Sequence, residues 1–413
     1  MVISRRRFLL GAALGAAGLT AARYTLPGRW ATGPVKPLDQ ECRGFLASCL
    51  EGVIPSKMVD THVHLAGREE ALTGCWLHPD WQRHSSPMRR LRYDLFMGAA
   101  GVTREVGCDA QYVERLLERH RAGLPRGRLL LLAFDTYVDA LGLEDRSLSA
   151  MHIPDDAVLD LAERHEDVLA CASVHPYRND AVERLRAAAG RGAVAVKWLP
   201  GVQGIDPAAP RCLPFYDAMA ELGMPLITHA GEESALSFVS DEELGNPLRL
   251  RPALERGVRV VIAHAGSLGH VTDLDASSGR QGQLSCFDAF LRMFSEPEWE
   301  RSLFADISAL TFVNRSGLPL QTMLAASEWH HRLVNGSDYP LCALPVVNNS
   351  WWLEHNGLLS TEDRRLCDKI GEANPLLFDF VLKRSVRVLD RGLPRRFSPS
   401  VFEGEWLFDQ VLG

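Results

Sequence analysis

The stretch Met58-Val59-Asp60-Thr61-His62-Val63-His64 ends in a His-x-His pair. Read as a strand, it puts His62 and His64 on the same side, because side chains alternate across a strand. Two imidazoles converging there suit a borderline metal such as zinc. Packed and surface histidines produce the same spacing, so the pair alone says little. Other apolar runs, however, end in the same way. One closes on His229, another on His264, a third on Asp338, and the run Ala195-Val196 leads into Lys197. Buried His, Lys and Asp must be paired or metal-bound to offset desolvation. One such residue is commonly a satisfied core group; five strand ends equipped alike are hard to explain by packing.

The elements that must position these residues are legible as eight short apolar runs, at 58–64, 128–134, 168–175, 193–199, 225–229, 258–264, 303–309 and 332–338. Several are β-branched and nearly continuously apolar, the pattern of buried parallel strands covered on both faces. Parallel strands need crossover connections, and 109–121, 181–190 and 214–222 have helical patterning. The expected fold is therefore α/β, a (β/α)8 TIM barrel. A doubly wound open sheet is the alternative, but no GxGxxG loop supports it. Two connections exceed what a barrel needs. Residues 65–127 carry Trp76, His78, Trp81 and His84; residues 265–302 carry Gly266, Gly269, Gly279 and Gly282. Loops after barrel strands lie at the catalytic face, so these long loops after strands 1 and 6 are either substrate walls and lids or structural insertions.

The motifs Asp60-Thr61-His62-Val63-His64, the strand-end His229 and His264, and Gly336-Ser337-Asp338-Tyr339-Pro340 resemble those of the amidohydrolase superfamily. Val196-Lys197-Trp198-Leu199-Pro200 and Asn374-Pro375, with the apolar residues after it, resemble its amidohydrolase-2 branch. The resemblance spans 58 to about 382 and implies a divalent metal, zinc by preference, held by His62, His64, His229 and Asp338. It also implies catalytic roles for Asp338, as proton acceptor, and for His264, as acid/base or further ligand. Lys197 has two readings: carboxylated and bridging two metals, or salt-bridged at the barrel mouth beside one. The Trp198-Leu199-Pro200 continuation resembles single-metal relatives, so one ion is preferred over two.

Other residues carry weaker signals. His175 is either a substrate contact or a packed histidine, and Asp306 either orients a ligand histidine or caps a turn. Glu232 and Glu233 approach substrate or stay solvated, His270 is undecided, and His330 and His331 precede the last strand at the opposite face. No serine-hydrolase elbow or Walker loop is present.

Composition bounds the rest. Of 413 residues 46% are hydrophobic and 23% charged, an ordinary globular balance. A net charge of -7 without a basic stripe argues against nucleic acid as a partner. Nine scattered cysteines without a CxxC pair give neither a disulfide framework nor a zinc-cysteine site. Arg5-Arg6-Arg7 precedes an apolar stretch to about Ala22, which resembles a twin-arginine export signal. The expected layout is a signal at 1–22, a lead-in at 23–57, the barrel at 58–382 and a C-terminal extension at 383–413. Passage through the twin-arginine machinery would place a folded, metal-loaded enzyme, able to self-associate, in the periplasm or outside the cell. Three functions follow for a small-molecule substrate. The first is metal-dependent hydrolysis of an amide, cyclic amide, lactone or ester; the second is decarboxylation or hydration by a lyase of the same branch. The third is a barrel that binds a ligand without catalysis.

Overall fold

A computed structural model describes residues 33–83, 86–123, 127–233, 236, 241–277 and 282–412. The residues that carry the export signal, together with His84 and Gly279, lie outside the described residues. Among the described residues no helix is long and apolar enough to cross a membrane.

All eight runs form strands of one sheet. They are β1 (Val59–His64), β2 (Arg128–Leu132), β3 (Val168–Ala172), β4 (Ala193–Trp198), β5 (Leu226–Thr228), β6 (Val260–Ile262), β7 (Leu303–Asp306) and β8 (Leu333–Val334). They pair in parallel and in sequence order. The sheet closes where β1 meets the segment after β8: Thr61 N donates to Asn335 O at 2.9 Å, Asp338 N to His62 O at 2.9 Å and His64 N to Tyr339 O at 3.0 Å. The result is the expected eight-stranded barrel.

The connecting helices are α1 (Cys108–Gly123), α2 (Asp155–Arg164), α3 (Ala181–Gly190), α4 (Leu213–Glu221), α5 (Arg251–Glu255), α6 (Cys286–Phe294) and α7 (Leu318–Ala325), with α8 (Pro375–Ser385) following the last strand. The expected helices at 109–121, 181–190 and 214–222 are α1, α3 and α4 within two residues at each end. α8 shows why Asn374-Pro375 stands where it does. The Asn374 side chain accepts from Leu376 N and Leu377 N and donates to Arg119 O at 2.7 Å. It thus caps one helix and ties it to another, while Pro375 at the first helical position forfeits no hydrogen bond.

Two apolar layers result. One lies between strands and helices. The other fills the barrel and includes Val59, Leu130, Leu132, Cys171, Ile227, Val261 and Val334. Leu407 and Phe408, both fully buried, join this inner layer. The C-terminal residues are thus packed against the barrel interior. Gly404 permits the approach, since a Cβ there would stand 3.2 Å from Thr61 Cγ2.

Both long loops have structure of their own. Trp76–Leu77, in the loop after β1, pairs antiparallel with Met151–His152 from the loop after β2, and the buried Trp81 donates its indole N–H to Ala150 O at 3.0 Å. In the loop after β6, Gln283–Ser285 pairs antiparallel with His270–Thr272.

Truncating a buried aromatic costs about 3–5 kcal/mol, so Phe408→Ala should lower the thermal unfolding midpoint by several degrees while metal content per folded chain stays unchanged. Calorimetry with elemental analysis checks both halves.

Candidate metal centre

The site is built where β1, β4, β6, β7 and β8 end. On β1 the register shifts between Asp60 and Val63, the signature of a bulge, which re-aims side chains beside functional sites. Val59 faces the barrel interior. After the shift His62 and His64 take up the mouth, and their rings stand 5.0 Å apart.

Asp306, at the end of β7, is completely buried. One carboxylate oxygen lies 2.8 Å from His62 Nδ1. The other accepts from His264 N at 2.8 Å, from Ser308 N at 3.0 Å and from the Ser308 hydroxyl. A carboxylate only accepts, so His62 carries its proton on Nδ1 and turns the Nε2 lone pair into the mouth. There Nε2 lies 3.2 Å from Lys197 Nζ and 3.9 Å from Asp338 Oδ1. His264 is arranged alike. Its Nδ1 lies 2.7 Å from Ser308 Oγ and 3.1 Å from Ser308 O. The Ser308 hydroxyl already donates to Asp306, so His264 Nδ1 donates and Nε2 is left as the free donor atom.

Backbone geometry sets the remaining positions. His264, Ala265 and Gly266 all have positive φ, at 55°, 51° and 57°. The chain therefore leaves the extended form at the end of β6 and swings His264 to within 4.9 Å of the His62 ring in a stacked arrangement. Asp338 also has positive φ, 57°. Such backbone strain persists where surroundings over-determine it. Here Ser337 N donates to Asp60 Oδ1 at 2.7 Å, and Lys383 Nζ donates to Gly336 O at 2.5 Å and to Asp379 Oδ2 at 2.6 Å. Only glycine fits at 336, because a Cβ would meet His62 Cβ at 2.5 Å.

The sequence-predicted residues distribute as follows. His62, His264 and Asp338 offer ligand atoms all within 4.8 Å of one another. His64 joins at the rim, its Nε2 3.2 Å from Asp338 Oδ1 and its side chain 20% exposed. His229 stands next to this group, its ring 5.3 Å from that of His264, with Nδ1 3.7 Å from Glu233 Oε2 and Nε2 3.4 Å from Glu232 O. Lys197 borders the cluster through His62. Asp306 takes both expected roles at once, orienting a histidine and fixing the turn after its strand. His175 is packed: Nε2 meets Gln203 O at 2.9 Å and Nδ1 accepts from Tyr177 N. His330 bonds Ser398 Oγ and Met323 O, away from the mouth, and His270 is exposed on its hairpin. The sequence reading missed Ser308 and Arg315. Neither ends an apolar run, and both are placed by the loop after β7.

Burial dominates the electrostatics. It holds His62 and His264 well below the ordinary imidazole range and His229 at about 4, so all three are neutral donors near pH 7. It also lowers Lys197, favouring the free amine. Neutral imidazoles with the far nitrogen anchored, one carboxylate and a buried setting are the donor set of a divalent site. These residues fit a metal. A second grouping, Glu69, Cys108 and Asp109, lies in the loop after β1. There the Asp109 carboxylate is already taken by Arg68 N, Glu69 N and the Thr73 hydroxyl.

A family model described as Amidohydrolase matches residues 59–376. No curated protein matches the chain. Solved structures similar to it include an uncharacterized TIM-barrel protein from Bordetella bronchiseptica, 15% identical, covering 76% of this chain and 99% of its own, with a TM-score of 0.47. A second, from Pseudomonas putida, is described as a 2-pyrone-4,6-dicarboxylic acid hydrolase, at 17% identity, 78% and 97% coverage and a TM-score of 0.40. A third is 5-carboxyvanillate decarboxylase from Sphingomonas paucimobilis, at 10% identity, 77% and 96% coverage and a TM-score of 0.43.

Partners that orient metal-binding histidines are worth about 10–100-fold in metal affinity. Asp306→Asn, which keeps the shape and removes the charge, should weaken zinc binding by that factor. Competition against a chelator of known affinity measures it, and an unchanged constant would contradict the orienting role.

Proposed function

The chain belongs to the amidohydrolase family, and from that premise we propose that it is a metal-dependent hydrolase acting on an amide, cyclic amide, lactone or ester. The family is metal-dependent, and the ion we assign is zinc, one per chain, with Asp338, His62 and His264 at its centre and His64 and His229 on either side. The observation that carries this reading is the convergence of His62, His264 and Asp338 within 4.8 Å, two of them with Nδ1 engaged and Nε2 turned into the mouth. When bound, a divalent ion would supply a Lewis acid that polarises a carbonyl and acidifies water from a pKa of ~15.7 to ~7.

The protein side chains then do the following. Asp338 is held by its own backbone and by the Asp60 and Lys383 contacts, so its carboxylate is fixed at the cluster, where it can take a proton and return it to a leaving group. His264 is neutral and anchored through Ser308, and it polarises a substrate oxygen or completes the ligand set. Lys197, buried beside His62 Nε2, is placed as an amine donor to substrate; carboxylated, it would add a carbamate ligand and make room for a second ion.

Lyase chemistry in the same pocket, a decarboxylation or hydration, is the second reading. The buried Arg315, whose Nη1 donates to Ser267 Oγ at 3.0 Å, favours it, since a guanidinium can take the carboxylate that such a reaction needs. For either reaction the proposal includes self-association and export through the twin-arginine route, the latter resting on Arg5-Arg6 and the apolar run after them alone.

The test is turnover of the zinc-loaded protein against lactones, amides, esters and decarboxylatable acids, with Asp338→Asn alongside. Loss of a positioned acid/base group costs about 10²–10⁴-fold, and Asp338→Asn should lose at least that in kcat. Release of carbon dioxide in place of hydrolysis would select the lyase reading. Turnover of nothing by a metal-loaded chain would leave a ligand-binding barrel.

A further inference from the structure

Val59 of β1 and Val334 of β8 belong to the inner layer of the barrel. Alternation then turns the residues that follow them, Asp60 and Asn335, outward, toward α8. There they line a cavity of about 30 Å³, together with Ser337, with Asp379 and Phe380 of α8 and with Phe402 from the C-terminal residues. Asn335 is 8% exposed, and its side-chain oxygen has no hydrogen-bond partner. Closing the barrel does not use that oxygen, since Thr61 N donates to the main-chain oxygen of Asn335. A buried polar atom left unpaired costs about 1–3 kcal/mol, so a partner from outside the chain is called for.

The charges around the cavity do not balance. Asp60 accepts from Ser337 N at 2.7 Å and from His62 N at 3.3 Å, both through Oδ1. Burial pushes its carboxyl up to about 7, yet Asp60 is only partly covered, because its open side faces the cavity. The ammonium that acts on it, that of Lys383, is bonded to Asp379 Oδ2 at 2.6 Å and to Gly336 O at 2.5 Å. One positive charge thus serves two carboxylates. The other ionisable groups on the lining add nothing: Arg128 is paired with Glu405 at 2.6 Å, and burial holds His120 below the ordinary imidazole range. One negative charge is left over, and a buried charge without compensation is costly.

We propose that this cavity binds one monovalent metal cation, sodium or potassium, between the Asp60 carboxylate and the Asn335 side-chain oxygen, behind the metal centre and separate from it. Carboxylate, amide and hydroxyl oxygens are hard donors, suited to such ions and not to zinc. A single positive charge matches the one negative charge left over. Calcium takes about 6–8 oxygen ligands and magnesium keeps several waters, whereas this cavity has about the volume of one water molecule. The ion is structural. Asp60 holds Ser337 N and His62 N, so a cation on Asp60 steadies the two chain segments that carry Asp338 and His62. The inference stands on the cavity and does not depend on which reaction the mouth performs.

The test is thermal unfolding of the zinc-loaded protein at pH 8 in the chlorides of sodium, potassium and tetramethylammonium, at equal ionic strength. A ligand that binds only the folded chain stabilises it by mass action. The midpoint should therefore climb by about 2 °C or more as sodium or potassium replaces tetramethylammonium, which is too large for the cavity. Asn335→Leu, which keeps the size of the side chain and removes its oxygen, should lose that dependence with zinc content unchanged. If Asn335→Leu does not fold, Asn335→Ala takes its place with the same expectation. Equal midpoints in all three salts would overturn the proposal and leave water in the cavity. A dependence that survives removal of the Asn335 oxygen would put the ion elsewhere and overturn it as well. Zinc content separates this site from the one at the mouth: a zinc-loaded chain indifferent to sodium and potassium sinks this proposal alone. A chain that takes up no zinc sinks the metal reading, and the same salt series still decides this one.

Discussion

Asp306 takes four hydrogen bonds in a site with no access to water: from His62 Nδ1, from the backbone N–H of His264 and of Ser308, and from the Ser308 hydroxyl. Those groups belong to the ends of three different strands. A buried carboxylate with its lone pairs unmet costs several kcal/mol, so the ends of β1, β6 and β7 are constrained to meet at this point. The rest of the mouth follows. With Nδ1 of His62 committed to Asp306 and Nδ1 of His264 to Ser308, both rings can present only Nε2, and they present it to the volume that Asp338 also faces. The positive φ values at His264 and Asp338 are the backbone strain this convergence demands, and the Asp60 and Lys383 contacts hold it in place.

The two ends of the barrel divide the work. At the mouth, polar groups are buried against their own solvation preference and the backbone is strained. Toward the other end the interior is apolar and includes Leu407 and Phe408 from the C-terminal residues. This division is characteristic of (β/α)8 enzymes, in which the strands' C-terminal face carries chemistry and the opposite face stability. Here stability also draws on a segment more than sixty residues beyond the last strand, which makes residues 404–412 part of the barrel they follow.

Much of this architecture was legible in the sequence, for a physical reason. Strands buried on both faces need continuous apolar runs, and polar residues at their ends need partners, so 58–64, 258–264 and 332–338 announced both the sheet and its chemistry. What stayed hidden depends on geometry beyond period-two alternation. The relative closeness of His264 and His229 to the cluster turns on a left-handed turn after β6 that no spacing encodes. Asp306 offered two roles in sequence and has both. Ser308 and Arg315 lie in a loop whose path is fixed by contacts with Val347 and Ser267, far along the chain. The apolar Trp406-Leu407-Phe408 was the one signal that the C-terminal residues are packed, and reading it required knowing that the barrel interior had room for two more side chains.

The central claim is that His62, His264 and Asp338, with His64 and His229 on either side, hold a functional metal. Elemental analysis of the purified protein against a His62→Ala, His64→Ala double variant tests it most directly, with circular dichroism confirming that both are folded. The account expects about one transition metal per chain in the wild type and none in the folded double variant. A wild type that holds no metal after reconstitution with zinc or manganese, or a double variant that retains it, would contradict the account.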